Sequence, residues 1–299
     1  MKYLFLVSFL VFFFACGKTS NSSTTASAEK QIDYQGHRGA RGLYPENSIT
    51  GLVKALNFPI QTLELDVVVS QDSQLILSHE PWFSHVICQH GDGREISEAE
   101  AEMLKIIDLD YKDIKTFDCG SRGNPRFSEQ NKLKTYKPSF MDAISNVELH
   151  CRKTNRTPPR YNVELKSQPE WYDIFTPQPK KFVELALQEI RLLEIENQVT
   201  LQSFDPAILN EIHQQAPNIS TSFLVENIEG LDANLKKLTF TPDIYSPYFK
   251  LLNVGAINAM HEKGMQVIPW TINDPVIMKK LIEIGVDGII TDYPNLIEF

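Results

Sequence analysis

A TIM-type (β/α)8 barrel is the fold this chain predicts, and three observations predict it. Eight runs of apolar and β-branched residues read as strands. Between most of them, apolar residues recur at spacings of three and four, the signature of helices packed on one face. No glycine-rich phosphate loop follows the first strand, and the strand count is eight, so the alternation favours a closed barrel over a doubly wound open sheet.

In chain order the strands are "IDYQGH", "TLELDVVVS", "YNVELK", "VTLQSF", "STSFLV", "DIYSPY", "QVIPWTI" and "GIITD". The helical stretches are "SITGLVKALNF", "SFMDAISNVELHCRK", "KKFVELALQEIRLLEI", "PAILNEIHQQA", "VGAINAMHEKG" and "PVIMKKLIEIG". Asp205-Pro206 and Asp274-Pro275 stand where helices start, and Gly264 and Gly285 where helices stop. Asn47 or Ser48 caps the first helix, and Gly39 and Gly42 let the backbone turn after strand one.

Two features interrupt the repeat. "TLELDVVVSQDSQLILSHE" holds two alternating strands around Asp72-Ser73. A two-residue turn there makes an extra β-hairpin after strand two and sets Asp66 opposite His79. Residues from about 80 to 137 then form a long polar insertion before strand three, with one helical patch near "ISEAEAEMLKII". An insertion at the carboxyl end of a barrel strand lands over the active face. Cys88 and Cys119 lie within it and are the expected disulfide pair, while Cys151 sits in a helical pattern and is expected buried and inert.

The N-terminal residues have another character. Lys2, the apolar run "YLFLVSFLVFFFA" and Cys16-Gly17 describe an export signal over residues 1–15 with a lipobox-like Cys16. Residues 16–31 are small and polar, as a flexible tether should be. The expected organisation is a signal, a lipidated Cys16 with its tether, and one barrel domain over residues 32–299 of an exported, membrane-anchored lipoprotein.

The net charge of −9 argues against a nucleic-acid groove, so a bound phosphate would need local basic residues or a metal. Barrel active sites gather at the carboxyl ends of the strands. Strand one ends on His37-Arg38. Strand two carries Glu64 and Asp66, two apart and so on one face, as are Glu164 and Lys166 on strand three. His79 returns on the hairpin, and Trp270 ends strand seven. Each pair alone has an ordinary explanation as a surface or core feature; their joint placement at strand ends does not. Three converging carboxylates repel one another unless a cation sits among them, and all-oxygen ligation suits Mg2+ or Ca2+. Arg38 and Lys166 can hold phosphate oxygens. Two histidines near neutral pKa can then serve as general acid and base in metal-assisted phosphodiester cleavage. His85, His90, His150, His213 and His261 do not share the placement and are expected to be structural or solvated.

"GHRGARGLYPENS", "LELDVVVSQDSQLILSHEP", "NVELKS", "LQSFDP", "VIPWTIN" and "GVDGIITDYP" together resemble the successive motifs of glycerophosphodiester phosphodiesterases, from about Asp33 to Pro294. The resemblance implies a TIM-type barrel, a divalent metal, and hydrolysis of glycerophosphodiesters to an alcohol and glycerol 3-phosphate. It implies His37 and His79 as the acid/base pair, Glu64, Asp66 and Glu164 as metal ligands, and Arg38 and Lys166 as phosphate contacts. Glu46, in the "PEN" piece, is expected to line the site, and Trp270 to pack on the glycerol or the leaving group. The chain departs from the family pattern at Glu80, where aspartate is usual, and in its insertion. Two competing readings are a related barrel phospholipase with a cyclic phosphate product, and a surface lipoprotein that binds without catalysis.

Overall fold

The computed structural model describes residues 1–2 and 31–297; the expected export signal, Cys16 and the tether lie outside the described residues. Gln31–Phe299 makes one compact unit. Its elements are β1 (Asp33–Gly36), α1 (Ile49–Ala55), β2 (Thr62–Val69), β3 (Leu75–Leu77), α2 (Glu98–Ala101), α3 (Tyr111–Ile114), α4 (Phe140–Thr154), β4 (Arg160–Leu165) and α5 (Pro179–Leu192). They continue with β5 (Val199–Ser203), α6 (Pro206–Gln215), β6 (Ser220–Val225), α7 (Leu231–Leu235), β7 (Ile244–Pro247), α8 (Val254–Glu262), β8 (Gln266–Val267), α9 (Pro275–Glu283) and β9 (Gly288–Thr291).

Eight strands pair in parallel in the order β8-β7-β6-β5-β4-β2-β1-β9, and β3 pairs antiparallel with β2. The barrel closes through Asp287 N–H to Val267 O (2.8 Å), Ile290 N–H to Pro269 O (3.1 Å) and Ile272 N–H to Ile290 O (2.9 Å). The regular part of β8 is only two residues long, shorter than "QVIPWTI" suggests, because Pro269 has no N–H for the ladder. The predicted barrel is thus the observed one, with α7 an added short helix.

Alternation along the strands sorts the core. Leu63, Leu65 and Val67 of β2 join a buried cluster with Leu52 of α1, Phe140 and Val147 of α4, and Phe182 of α5. The alternate residues Thr62, Glu64 and Asp66 are equally buried but polar, and they belong to the barrel interior. Each fully buried aliphatic side chain contributes ~1.5–3 kcal/mol, so the helical shell supports the inward-facing polar groups. The expected caps form: Ser48 Oγ accepts from Gly51 N–H (3.0 Å) and Asp205 from Ala207 N–H (2.9 Å). Gly264 (φ 82°) and Gly285 (φ 106°) end α8 and α9 in the left-handed region.

The hairpin register differs from the expected one. Val67, Val68 and Val69 face Leu77, Ile76 and Leu75, so Ser78 rather than His79 lies opposite Asp66, its N–H donating to Asp66 O (3.1 Å). The loop holds three residues, Gln71 to Ser73, with Ser73 left-handed (φ 62°), not the two assumed. One extra loop residue moves every partner by one. His79 comes after the end of β3, where the chain is free to leave the strand plane.

The insertion is less polar than its composition suggests. Phe83, Ile87, Ile96, Ile106 and Ile114 bury against Val68 of β2 and Ile76 of β3 in a separate small core. The Cys88–Cys119 disulfide crosses that core, and Cys151 is buried and free on α4.

Candidate active site

The loop after β1 builds one wall. Arg38 takes a left-handed backbone (φ 50°), a sparsely populated conformation for a non-glycine residue. That turn aims its N–H at Glu64 Oε2 (2.9 Å). Its guanidinium donates to Glu46 Oε1 (2.7 Å), and Nε lies 3.1 Å from Asp66 Oδ2. Asn47, also left-handed, clamps Asp66: its Nδ2 donates to Asp66 Oδ2 (2.8 Å), and its Oδ1 accepts the Asp66 N–H (3.1 Å). Capping of α1 is therefore left to Ser48. Gly39 (φ 88°) makes the expected turn. Gly42 is small for another reason: a Cβ there would lie 2.6 Å from the Tyr293 ring.

Glu64, Asp66 and Glu164 come together as expected, each offering an oxygen within 4.8 Å of the others, and all three are buried. β2 and β4 place Asp66 directly beside Glu164. Gln202 Nε2 donates to Glu64 Oε1 (2.8 Å), and Lys166 Nζ to Glu164 Oε1 (2.8 Å). Burial, then the neighbouring Asp66 and Glu164 charges, hold the Glu64 carboxyl well above the usual range. Glu164 is also raised by burial, which the Lys166 ammonium only partly offsets. Asp66 goes the other way: burial would raise it, but Arg38, His79 and Lys166 hold it low. Asp66 Oδ1 is buried without a hydrogen-bond partner. Three carboxylates in mutual repulsion, one with an orphaned buried oxygen, fit a hard divalent cation.

The histidines flank this cluster, each backed by a carboxylate. His37 Nδ1 lies 2.6 Å from Asp292 Oδ1, and its Nε2 is 3.8 Å from Glu64 Oε2. Burial and the Arg41 charge lower His37 to about 4 against the pull of Asp292, so it is neutral at pH 7. His79 Nδ1 lies 2.8 Å from Glu80 Oε1; glutamate in place of the usual aspartate still reaches the ring. Burial, with Arg38 and Lys166, lowers His79 as well. When Nδ1–H of a neutral imidazole donates to its carboxylate, Nε2 is left as the acceptor.

His37, Arg38, Glu64, His79, Glu164 and Trp270 line one cleft of about 380 Å³. Its far wall is aromatic: Trp270 packs edge-on against Phe204 (5.4 Å between centroids) and donates through Nε1 to Ser246 O (2.9 Å). Glu46 sits behind Arg38 as its ion-pair partner (2.7 Å). Elsewhere, His90 pairs with Glu100, His261 with Asp287, and His213 stacks on Phe240, all outside the cleft.

Sequence reasoning missed Asp292, Arg41, Asn273, Gln202 and Lys137. Asp292 was within reach, because it is the last residue of "GIITD" and obeys the strand-end rule. It accepts from Arg41 Nε (2.5 Å) and Asn273 Nδ2 (2.7 Å) as well as bonding His37. Burial would raise its carboxyl, but His37 and Arg41 hold it well below the usual range. Lys137 carried no local signal. It is 5% exposed, its Nζ donating to Ser78 Oγ (2.7 Å), with the Glu80 and Glu46 charges opposing the lowering that burial imposes on its ammonium.

A barrel with a carboxylate cluster between two carboxylate-backed imidazoles, and with an arginine and a lysine paired to those acids, has the makings of a phosphodiester hydrolase. Residues 37–296 match the glycerophosphoryl diester phosphodiesterase family, and the chain belongs to that family. It is 27% identical over 271 residues to the glycerophosphodiester phosphodiesterase of Bacillus subtilis (strain 168), covering 87% of this chain and 83% of that one. Among solved structures, a protein from Silicibacter pomeroyi DSS-3, provisionally named a glycerophosphoryl diester phosphodiesterase, superposes with a TM-score of 0.78 at 28% identity over 90% of this chain and 92% of that chain. An Oleispira antarctica phosphodiesterase, solved with its product sn-glycerol-3-phosphate, shares the fold with a TM-score of 0.68 at 20% identity, covering 88% of this chain and 93% of that one.

Proposed function

We propose that this cleft hydrolyses glycerophosphodiesters to an alcohol and glycerol 3-phosphate with the aid of a divalent cation held by Glu64, Asp66 and Glu164. The observation that carries the reading is the convergence of those three carboxylates within 4.8 Å, with His37 and His79 in the same cleft. The bound ion would supply Lewis-acid polarisation of the phosphoryl oxygens. Arg38 and Lys166 bind the phosphate, Arg38 through its fork and Lys166 as a point charge. Neither is free to swing, since Glu46 and Asp66 hold the first and Glu164 the second.

Water attacks phosphorus, and the P–O bond to the leaving alcohol breaks. One histidine takes the proton from water through its bare Nε2 as the new bond from the water oxygen to phosphorus forms. The other enters the step as the imidazolium, gives its Nε2 proton to the departing alkoxide and is left neutral; the first ring then loses its proton to solvent and the second regains one. Asp292 and Glu80 stabilise the imidazolium that each ring becomes during the cycle, and they fix the tautomer between turnovers. Trp270 and Phe204 exclude water from one side and pack against the carbon skeleton of the glycerol or the alcohol.

We also infer export and membrane anchoring through a lipidated Cys16. The basic start, apolar run and Cys16-Gly17 support this. The Cys88–Cys119 disulfide supports an oxidising compartment. The test of the catalytic reading is to incubate purified protein with glycerophosphoglycerol, with and without EDTA, and assay glycerol 3-phosphate. The expected result is release that stops in chelator and resumes with excess Mg2+ or Ca2+. Full activity in chelator removes the cation from the scheme, and a cyclic phosphate product replaces hydrolysis by internal transfer.

A further inference from the structure

We propose that Arg126 of the insertion selects glycerophosphodiesters whose leaving alcohol carries a negative charge; this rests on the catalytic reading above and names its preferred substrate class. Arg126 lines the same cleft as His37 and Glu64 although it lies far from them in sequence. The other cations at that cleft already have carboxylate partners, and in the catalytic reading Arg38 and Lys166 are also taken by the scissile phosphate. Arg38 is paired with Glu46 and Asp66, and Arg41 with Asp292. Lys166, buried beside the carboxylate cluster, is paired with Glu164. Among the described residues, no carboxylate pairs with Arg126, whose guanidinium lies 5.8 Å from the Phe127 ring centroid. Phe127 itself is buried, and its ring also carries the Arg41 guanidinium at 5.1 Å.

The segment holding Arg126 is fixed to the catalytic loop. Gln130 Nε2 donates to Arg41 O (2.7 Å) and to Tyr44 O (3.2 Å). Asn131 donates to Leu43 O from both its backbone N–H (2.8 Å) and its Nδ2 (3.0 Å). Arg126 is therefore an exposed guanidinium on an anchored backbone, at the insertion side of the cleft.

The opposite wall argues against a cationic alcohol. Phe204, Tyr248, Phe249 and Trp270 would suit a quaternary ammonium by their faces alone. The Lys250 ammonium already sits 5.8 Å from the Tyr248 centroid and 5.9 Å from that of Phe249. Lys250 does not itself line the cleft, but a choline-like group seated on Tyr248 or Phe249 shares those rings with its like charge, and one seated at Arg126 meets another. Neutral glycerol suits the aromatic wall, and the second arm of the diester extends toward the unpaired guanidinium. A carboxylate or phosphate on that arm completes the ion pair that the protein leaves open, by a fork-shaped contact.

The test uses three diesters of glycerol 3-phosphate that differ in the charge of the alcohol: glycerophosphoglycolate (anionic), its ethylene glycol counterpart (neutral) and glycerophosphocholine (cationic). For the native protein, kcat/KM for glycolate exceeds that for ethylene glycol by about tenfold, mainly through KM, as for one added charge-assisted contact. Choline ranks last. Arg126→Gln brings the glycolate-to-ethylene-glycol ratio to about one, Arg126→Lys restores part of it, and Arg126→Glu inverts the order of glycolate and choline. These ratios do not depend on the fraction of folded protein. A ratio unchanged in Arg126→Gln, or choline as the native preference, overturns the inference while leaving the hydrolase reading standing. Cleavage of none of the three overturns both.

Discussion

The two sides of the cleft differ in how they are held. On the barrel side, Glu64, Asp66 and Glu164 belong to strands, and His37 and Asp292 directly follow strands, so the main-chain ladder sets their spacing. Side-chain bonds from Asn47, Gln202, Lys166 and Arg41 then fix Asp66, Glu64, Glu164 and Asp292 in turn. On the insertion side, Lys137 sits over Phe83 of a separate small core that one disulfide crosses, and Arg126 depends on the Gln130 and Asn131 bonds to the loop after β1. The difference separates two tasks. Bond cleavage needs donors placed to fractions of an ångström, and strands provide that; choice of alcohol tolerates a looser support and can sit on a loop.

If that division holds, damage on the barrel side should fall on turnover. The largest expected effect is from His37→Ala or His79→Ala, each lowering kcat by about 10²–10⁴-fold in steady-state assays with a saturating divalent ion. Activity near the native level in either variant breaks the comparison at its strongest point. The carboxylates behind the rings should rank below them. Asp292→Asn, which disturbs His37, Arg41 and Asn273 together, is expected to lower kcat by about 10²-fold. Glu80→Gln, behind the more exposed His79, should lower it by about tenfold. A larger loss in Glu80→Gln than in Asp292→Asn would reverse the ranking of the two dyads.

Damage on the insertion side should fall on stability and selectivity. Replacing Cys88 and Cys119 together by Ser removes a crosslink between residues 31 apart and is expected to destabilise by about 2–4 kcal/mol. Differential scanning calorimetry should show a lower Tm, while affinity for the divalent ion at the strand ends stays as in the native protein. A loss of ion affinity in that variant would mean the insertion supports the acids as well.

How legible each side was in the sequence follows the same line. Strand periodicity exposes which residues share a face, so Glu64 with Asp66 and Glu164 with Lys166 could be placed before any coordinates. The rule of reading strand ends extends to Asp292, the last residue of a strand already recognised. Hairpin register was not legible, because one loop residue more or less is decided by the left-handed conformation of Ser73 rather than by hydrophobic pattern. Arg126 and Lys137 were also hidden. The insertion has no sustained period of two or 3.6; Arg126 is brought to the cleft only by tertiary contacts such as Gln130 to Arg41 O, and Lys137 is brought only as far as Ser78 Oγ. Cys88 and Cys119 were legible as a pair because they share one irregular region.

The smallest effect concerns a buried acid away from the cleft, which sharpens the contrast with the clustered ones. Glu189 of α5 accepts the Leu75 N–H (2.9 Å), and burial pushes its carboxyl from 4.5 up to about 7. Between those values the folded state binds more protons than the unfolded state, so its contribution to stability falls as pH rises from about 4.5 to 7 and then levels off. Glu189→Gln keeps an acceptor for Leu75 and abolishes the ionisation. It should stabilise by about 1–3 kcal/mol at pH 8 and by little at pH 4.5, measured by denaturant titration at both values. Equal effects at the two pH values would show that Glu189 ionises freely.

The central claim is that Glu64, Asp66 and Glu164 share one divalent cation, and calorimetric titration of metal-stripped protein with Mg2+ or Ca2+ tests it most directly. The account predicts one site per chain, lost in Glu164→Gln and in Glu64→Gln alike. Undiminished binding at one site per chain in both variants would contradict it.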